Sequence, residues 1–407
     1  MQVWCGIDLG GRRHRVSIID DAGRQLENFA IGSDRGSIAL LSQKLRARSH
    51  QPRRDITIAL EDRSGLLPGE LLRLGYRVVA IHPIAVARYR SSLTLGGAKS
   101  DRYDALVLAN LIRLETELHR PLAHDSDLVA ALRTLTRAHQ EQVWRRVAVQ
   151  CQLLDVLKLY YPGFVQAWPN LATPEARILF ELAPTPAAAR TLRPSTVEKA
   201  FRNLGRKRAV DALAEETCSA MKQSHLRRPS LTEAAMGRQA ATLMQALTET
   251  LNRANQLEEE VKDLYKQHPL WPVFTSFPGL SGVLGARILG EFGDDCERFR
   301  RPDALQALAG TRPITKQSGD MLVVRRRMRY NRRLGTAVDH WMMPLRNCAP
   351  EAKAYYQARR DRGERHGTAQ RNMANKYLAF LAACVRTDSA YDSVKAAASL
   401  NRADASR

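Results

Sequence analysis

Apolar residues open the chain in a short run, Val3 to Asp8 (VWCGID), which climbs to one carboxylate and is followed by Leu9-Gly10-Gly11. A second apolar run, His14 to Asp20, comes directly after. The pair predicts two antiparallel strands joined by a tight turn, with Asp8 in the first. A third strand is predicted at Leu26 to Ile31 and a helix at Ser37 to Arg48. Asp55 to Leu60 then reads as a buried strand ending at Glu61, Leu66 to Leu74 as a short helix, and Arg77 to Ile81 as a strand that Pro83 stops. Ala98 to Leu114 has helical spacing and carries Asp101 and Asp104.

Strand–strand–strand–helix–strand–helix–strand–helix is the order of a ribonuclease-H-like α/β domain, here residues 1–122. Residues 123–269 are predicted to be helical. Asp125 to about Tyr160 forms one long helix, several prolines break residues 162–230 into short helices and loops, and Glu233 to Gln267 forms a second long helix. On the last, Ala240, Leu243, Leu247, Thr250, Ala254, Leu257, Val261 and Leu264 keep an unbroken 3-4-3-4 spacing, a coiled-coil seam. It fits either the Asp125–Tyr160 helix or another protomer, and a contribution to oligomerisation is expected. A mainly helical third domain spans residues 270–386, with a closing helix from Asn372 to Val385 and a disordered tail at 387–407.

Charge narrows the function. The chain carries +21, mostly as arginine spread along its 407 residues, which points to a polyanion, with nucleic acid favoured over a merely well-solvated surface. No run is long enough to span a bilayer, and no signal peptide precedes the first strand. The six cysteines lie far apart and form no CxxC pair, so neither a zinc site nor a disulfide framework is indicated, and a reducing cytoplasm is the expected location.

A carboxylate within a buried strand is costly unless compensated, and a bound cation is the usual compensation. Asp8, Glu61, Asp101 and Asp104 come from two strands and one helix face, and four hard oxygen donors of this kind suit a pair of magnesium ions in phosphoryl transfer. Each acid taken singly is adequately explained as solvated or as a helix cap. The set, placed on these elements, favours the metal.

Two further motifs lie near the C-terminus. Phe277 to Gly293 (FPGLSGVLGARILGEFG) suggests a helix–hairpin–helix element in which Gly279 and Gly282 let backbone N–H groups approach a phosphate. A plain packing motif explains it equally well. Gln317-Ser318-Gly319 is weak alone, but Arg325, Arg326, Arg327, Arg329, Arg332 and Arg333 follow at once and would hold a DNA or RNA backbone beside the serine. Arg359, Arg360, Arg362, Arg365 and His366 form a second basic patch.

These motifs together resemble the DEDD transposases of bacterial insertion sequences, a family that includes pilin-gene invertases. GIDLGGRRHRVSIID, ALED and KSDRYDALVLA are similar to its three acidic blocks, and PGLSG, LAG, QSG and the basic run are similar to its C-terminal block. The resemblance implies an N-terminal domain like the Holliday-junction resolvase RuvC, with Asp8, Glu61, Asp101 and Asp104 as catalytic metal ligands. It implies Ser318 as nucleophile, donor and target DNA as substrates, and dimers assembled into tetramers. It also implies a structured non-coding guide RNA and action at the nucleoid. Two features depart from the family: Met328-Arg329-Tyr330-Asn331 stands where a Lys/Arg-Gly-Asn segment is usual, and the middle region is extended. Two other functions remain open on the residues: a RuvC-like resolvase that activates water, and a basic DNA-binding protein that does not cut.

Overall fold

The computed structural model describes residues 1–61, 65–93, 101–122, 125–223, 225–319 and 321–405, without the side chains of Leu93, Asp101, Cys296 and residues 402–405. The chain divides into two units, Met1–His124 and Asp125–Arg407.

The first unit is built on a five-stranded sheet in the order β3-β2-β1-β4-β5. Its strands are β1 (Val3–Asp8), β2 (His14–Asp20), β3 (Gln25–Ile31), β4 (Thr57–Leu60) and β5 (Arg77–Ala80). The first three pair antiparallel, and β1, β4 and β5 run parallel. Helices α1 (Arg35–Arg48), α2 (Leu66–Arg73), α3 (Pro83–Leu93) and α4 (Asp101–Leu114) complete the unit.

Strand alternation sends side chains to two cores. Val3, Cys5 and Ile7 of β1 join Ile58 and Leu60 of β4 against Leu41 and Leu45 of α1 and Leu71 of α2. Trp4 and Ala59 face the other way, onto Val86 of α3 and Val107, Leu108 and Leu111 of α4. The predicted strand and helix order is present. The helix α3 was not foreseen, because Pro83 reads as a strand stop when it in fact occupies the first helical position, where its missing N–H costs nothing.

The second unit is almost wholly helical. It opens with α5 (Asp127–Tyr160) and continues through α6 (Pro162–Ala167), α7 (Pro174–Leu182), α8 (Pro186–Thr191), α9 (Pro194–Asn203) and α10 (Val210–Lys222). The prolines start helices α6 to α9, and Thr173 and Thr185 cap α7 and α8 by accepting from Ala176 N and Ala188 N, each at 3.2 Å. Then comes α11 (Ser230–Lys266), which lies antiparallel on α5. Val129 and Leu132 cluster with Val261 and Tyr265, whereas Leu153 and Leu157 cluster with Ala240, Met244 and Leu247. Half of the predicted seam, Ala240, Leu247, Ala254 and Val261, is buried, while Leu243, Thr250, Leu257 and Leu264 are half-buried. The seam therefore packs on α5 of the same chain.

The remaining elements are α12 (Trp271–Thr275), α13 (Val283–Phe292), α14 (Cys296–Phe299), α15 (Pro302–Ala309), the hairpin β6 (Ile314–Ser318) and β7 (Met321–Arg325), α16 (Arg332–Cys348), α17 (Pro350–Asp361), α18 (His366–Thr387) and α19 (Ser393–Ala405). Trp341 of α16 is fully buried, donates to Pro278 O at 2.9 Å and meets the rings of Phe277 and Tyr377 edge-on. The expectation of a disordered tail fails here. Residues 393–405 are helical, Ala396 and Leu400 are buried, and Tyr391 anchors the segment against Phe277 with its hydroxyl donating to Glu351 at 2.5 Å.

Among the described residues, no helix is long and apolar enough to cross a membrane.

Candidate functional site: an acidic sheet edge and an exposed serine

Asp8 ends β1. Ile7 lies beside Leu60 in the parallel register, so the next residues, Asp8 and Glu61, leave the sheet side by side at its carboxyl edge. Trp4, Gly6 and Asp8 share the face that carries α4, and on β4 the same alternation gives Glu61 the face of Ala59. α4 lies directly on Gly6: a Cβ there would come within 2.1 Å of Ala105 O and 2.5 Å of Ala109 N. The far end of α4 sits by the β2–β3 turn, since a Cβ on Gly23 would meet Asn110 and Arg113. The first turn of α4, with Asp101 and Asp104, therefore stands at the edge that Asp8 and Glu61 occupy. The structure brings Asp8, Glu61 and Asp104 to one edge and one face, and the Asp101 side chain lies outside the described residues.

Two arginines that sequence reasoning missed are interleaved with these acids. Arg90, near the end of α3, holds Asp104 Oδ1 at 2.7 Å in a pair that is largely out of solvent. Arg15 is the cross-strand partner of Asp8, on the same face. Asp8 is half-buried. Among the described residues, no three His, Cys, Asp or Glu side chains stand close enough together to hold one metal ion. The donor set still suits a hard divalent cation, because it is all oxygen and gathered on one face; Asp104 engages a guanidinium in this arrangement.

Removing one partner of a buried pair strands the other charge. Arg90→Met is expected to lower the stability of the first unit by ~3 kcal/mol, and the double variant Arg90→Met/Asp104→Asn to recover most of that loss. Urea unfolding of the single and double variants checks it; a double variant no more stable than Arg90→Met would show that no stranded charge is relieved.

In the second unit, Ser318 is the last residue of β6 and pairs with Met321 across a two-residue turn. Gly319 takes a φ of +55°, as the first position of such a turn requires, and has open space around it. Ser318 is exposed, and so are Met321, Leu322 and Val324 of the partner strand. This hairpin was not foreseen. Arg325 ends β7. Arg326 stacks on Tyr330, whose ring fills the space between Gly310 and Gly335. Asn331 caps α16 by accepting from Arg333 N and Leu334 N, and its side-chain amide donates to Glu291 at 2.6 Å. Burial pushes the Glu291 carboxyl up, but hydrogen bonds from Arg137 and Asn331 outweigh it and leave the group below its usual range.

Other expected contacts have structural partners. Gly279 has a φ of +85°, and a Cβ there would stand 2.9 Å from the Pro344 ring, so packing against α16 accounts for this glycine. Gly282 caps α13 in open space. Arg359, counted in the second basic patch, is buried and bound to Glu364 and Tyr355.

Residues 5–162 match a family model described as "Transposase" for DEDD proteins of the IS110 type, and residues 272–357 match one described as "Transposase IS116/IS110/IS902 family". The Streptomyces coelicolor protein named "Mini-circle putative transposase for IS117" is 37% identical over 100% of this chain and 99% of its own length. The chain belongs to the IS110/IS116 family of insertion-sequence transposases. The 42 kDa protein of insertion element IS900 from Mycobacterium paratuberculosis is 26% identical over 96% of this chain and 97% of its own. The 44.8 kDa protein of IS116 from Streptomyces clavuligerus is 26% identical over 95% of each. The transposase is thus matched over its whole length, and both of its units contribute to the family match.

Proposed function

We propose that this transposase cuts and rejoins DNA through a covalent phosphoserine at Ser318, with Asp8, Glu61, Asp101 and Asp104 holding magnesium, two ions by the donor count. The observation that carries the reading is the shared edge and face of Asp8, Glu61 and Asp104, together with an exposed serine at a hairpin tip that leads into an arginine block. Magnesium, when bound, neutralises charge on phosphoryl oxygens.

The Ser318 hydroxyl attacks phosphorus, a Ser Oγ–P bond forms, and the P–O bond to one DNA fragment breaks. The serine proton passes to solvent and the departing DNA oxygen takes one up. A free DNA hydroxyl in a new pairing reverses the step, so the bond is conserved without ATP. Arg325, Arg326, Arg327, Arg329, Arg332 and Arg333 supply charge for the backbone, as does the open N-terminus of α13 at Gly282. Gly279 is left to packing.

The reading includes a structured guide RNA and a dimer-to-tetramer assembly, both drawn from the family resemblance; the charge of +21 is compatible with the RNA. RNA that copurifies and survives washing is the expected result; fully active protein free of RNA would remove that part. For the chemistry, the protein is incubated with labelled junction DNA and magnesium. A denaturation-resistant adduct is the expected outcome. Free nicks without adduct would make the protein a water-activating resolvase, and neither product would leave only DNA binding.

A further inference from the structure

The structure holds a large aromatic surface outside the acidic edge and the serine hairpin. Trp144, in the middle of α5, is 49% exposed, whereas Trp4 and Trp341 are buried and Trp168 and Trp271 half-buried. Its ring is oriented by its neighbours. The Arg333 guanidinium lies over it at 5.2 Å, and Arg333 is itself pinned by Glu141 at 2.8 Å. The basic segment that follows the serine hairpin therefore ends on this tryptophan.

The surroundings are cationic. Arg145 beside it is exposed, and Arg287 buries guanidine N–H groups that have no hydrogen-bond partner among the described residues. Arg287 is close enough to Arg333 for the second charge to add to the effect of burial in lowering its pKa.

We propose that Trp144 is a stacking platform for an unpaired base of the nucleic acid this transposase handles, with Arg145 and Arg333 facing the flanking phosphates. Every base has a π-face, so such a platform accepts any sequence but requires the base to be out of a duplex. Arg333 on the ring adds cation–π attraction and keeps the indole in one orientation. Val147, one turn further along and also exposed, extends the apolar strip. An apolar strip on a long helix also suits a second copy of the chain. The arginines around it are what favour a polyanion. This inference rests on the reading of the protein as one that handles nucleic acid.

The test measures binding of short single strands, one DNA and one RNA, and of a blunt duplex of the same sequence, by fluorescence anisotropy with the full chain. Trp144→Ala is expected to weaken single-strand binding about tenfold and duplex binding by less than about twofold, with Trp144→Phe keeping most of the affinity. The two single strands show which nucleic acid is preferred. Unchanged single-strand affinity, or an equal loss on duplex, would overturn the platform. A fall in assembly mass by sedimentation in Trp144→Ala, with affinity retained, would assign the face to a second copy instead. A wild-type protein that binds none of the probes would overturn the nucleic-acid reading itself and this inference with it.

Discussion

Ser318→Ala is expected to abolish covalent DNA adducts while leaving DNA affinity within about twofold. The variant removes one exposed hydroxyl from a strand end, and the backbone pairing of Ser318 with Met321 does not depend on it. Folding should be unaffected, since exposed substitutions of this kind change stability by less than ~0.5 kcal/mol. On the proposed mechanism the chemical loss is large, because Ser318 supplies the nucleophile and removal of a nucleophile costs on the order of 10⁶ in rate where it has been measured. Denaturing gels with labelled element-end DNA read the adduct, and gel shift reads the binding. Persistence of adducts would displace the serine from its role.

Gly6→Val is expected to unfold the first unit or detach α4, at a cost of more than ~3 kcal/mol. The physical reason is the contact of a Cβ with helix backbone, 2.1 Å from Ala105 O and 2.5 Å from Ala109 N. Backbone of this kind cannot swing aside as a side chain can. Moving α4 outward would uncover Val107, Leu108 and Leu111 and would withdraw Asp104 from the edge that Asp8 shares. Gly11→Ala, with open space around it, is the matched control and should be nearly silent. Hydrogen exchange across residues 1–124 reports the outcome, and full protection in Gly6→Val would mean that α4 does not rest where it is placed.

The sequence made the sheet legible because its signals are local. VWCGID and HRVSIID are dense in β-formers, and Asp8 ends the first of them. The closeness of Asp8 to Glu61 was inferable only as strand ends; the register of Ile7 with Leu60 makes it concrete. What escaped depends on partners distant in sequence. Arg90 reads as one more surface cation until α3 is seen to set it on Asp104.

Asn331 reads as a departure from a motif, yet it caps α16 and satisfies Glu291, forty residues earlier. The hairpin around Ser318 was missed because Thr-Lys-Gln-Ser is polar on both faces, although Gly319-Asp320 before Met-Leu-Val-Val carries a turn signal. The tail looked disordered because its helix is small and polar, and only burial of Leu400 and Ala396 against the rest of the unit shows otherwise.

In the proposed mechanism the carboxylate edge drives attack by the serine. This is tested most directly by digesting the adduct from wild-type protein, locating the DNA remnant by mass spectrometry, and repeating the reaction with Asp8→Asn and without magnesium. A remnant on the peptide that contains Ser318 is expected, with no adduct in either of the other two reactions. A remnant on any other residue, or an adduct of undiminished yield in Asp8→Asn, would contradict it.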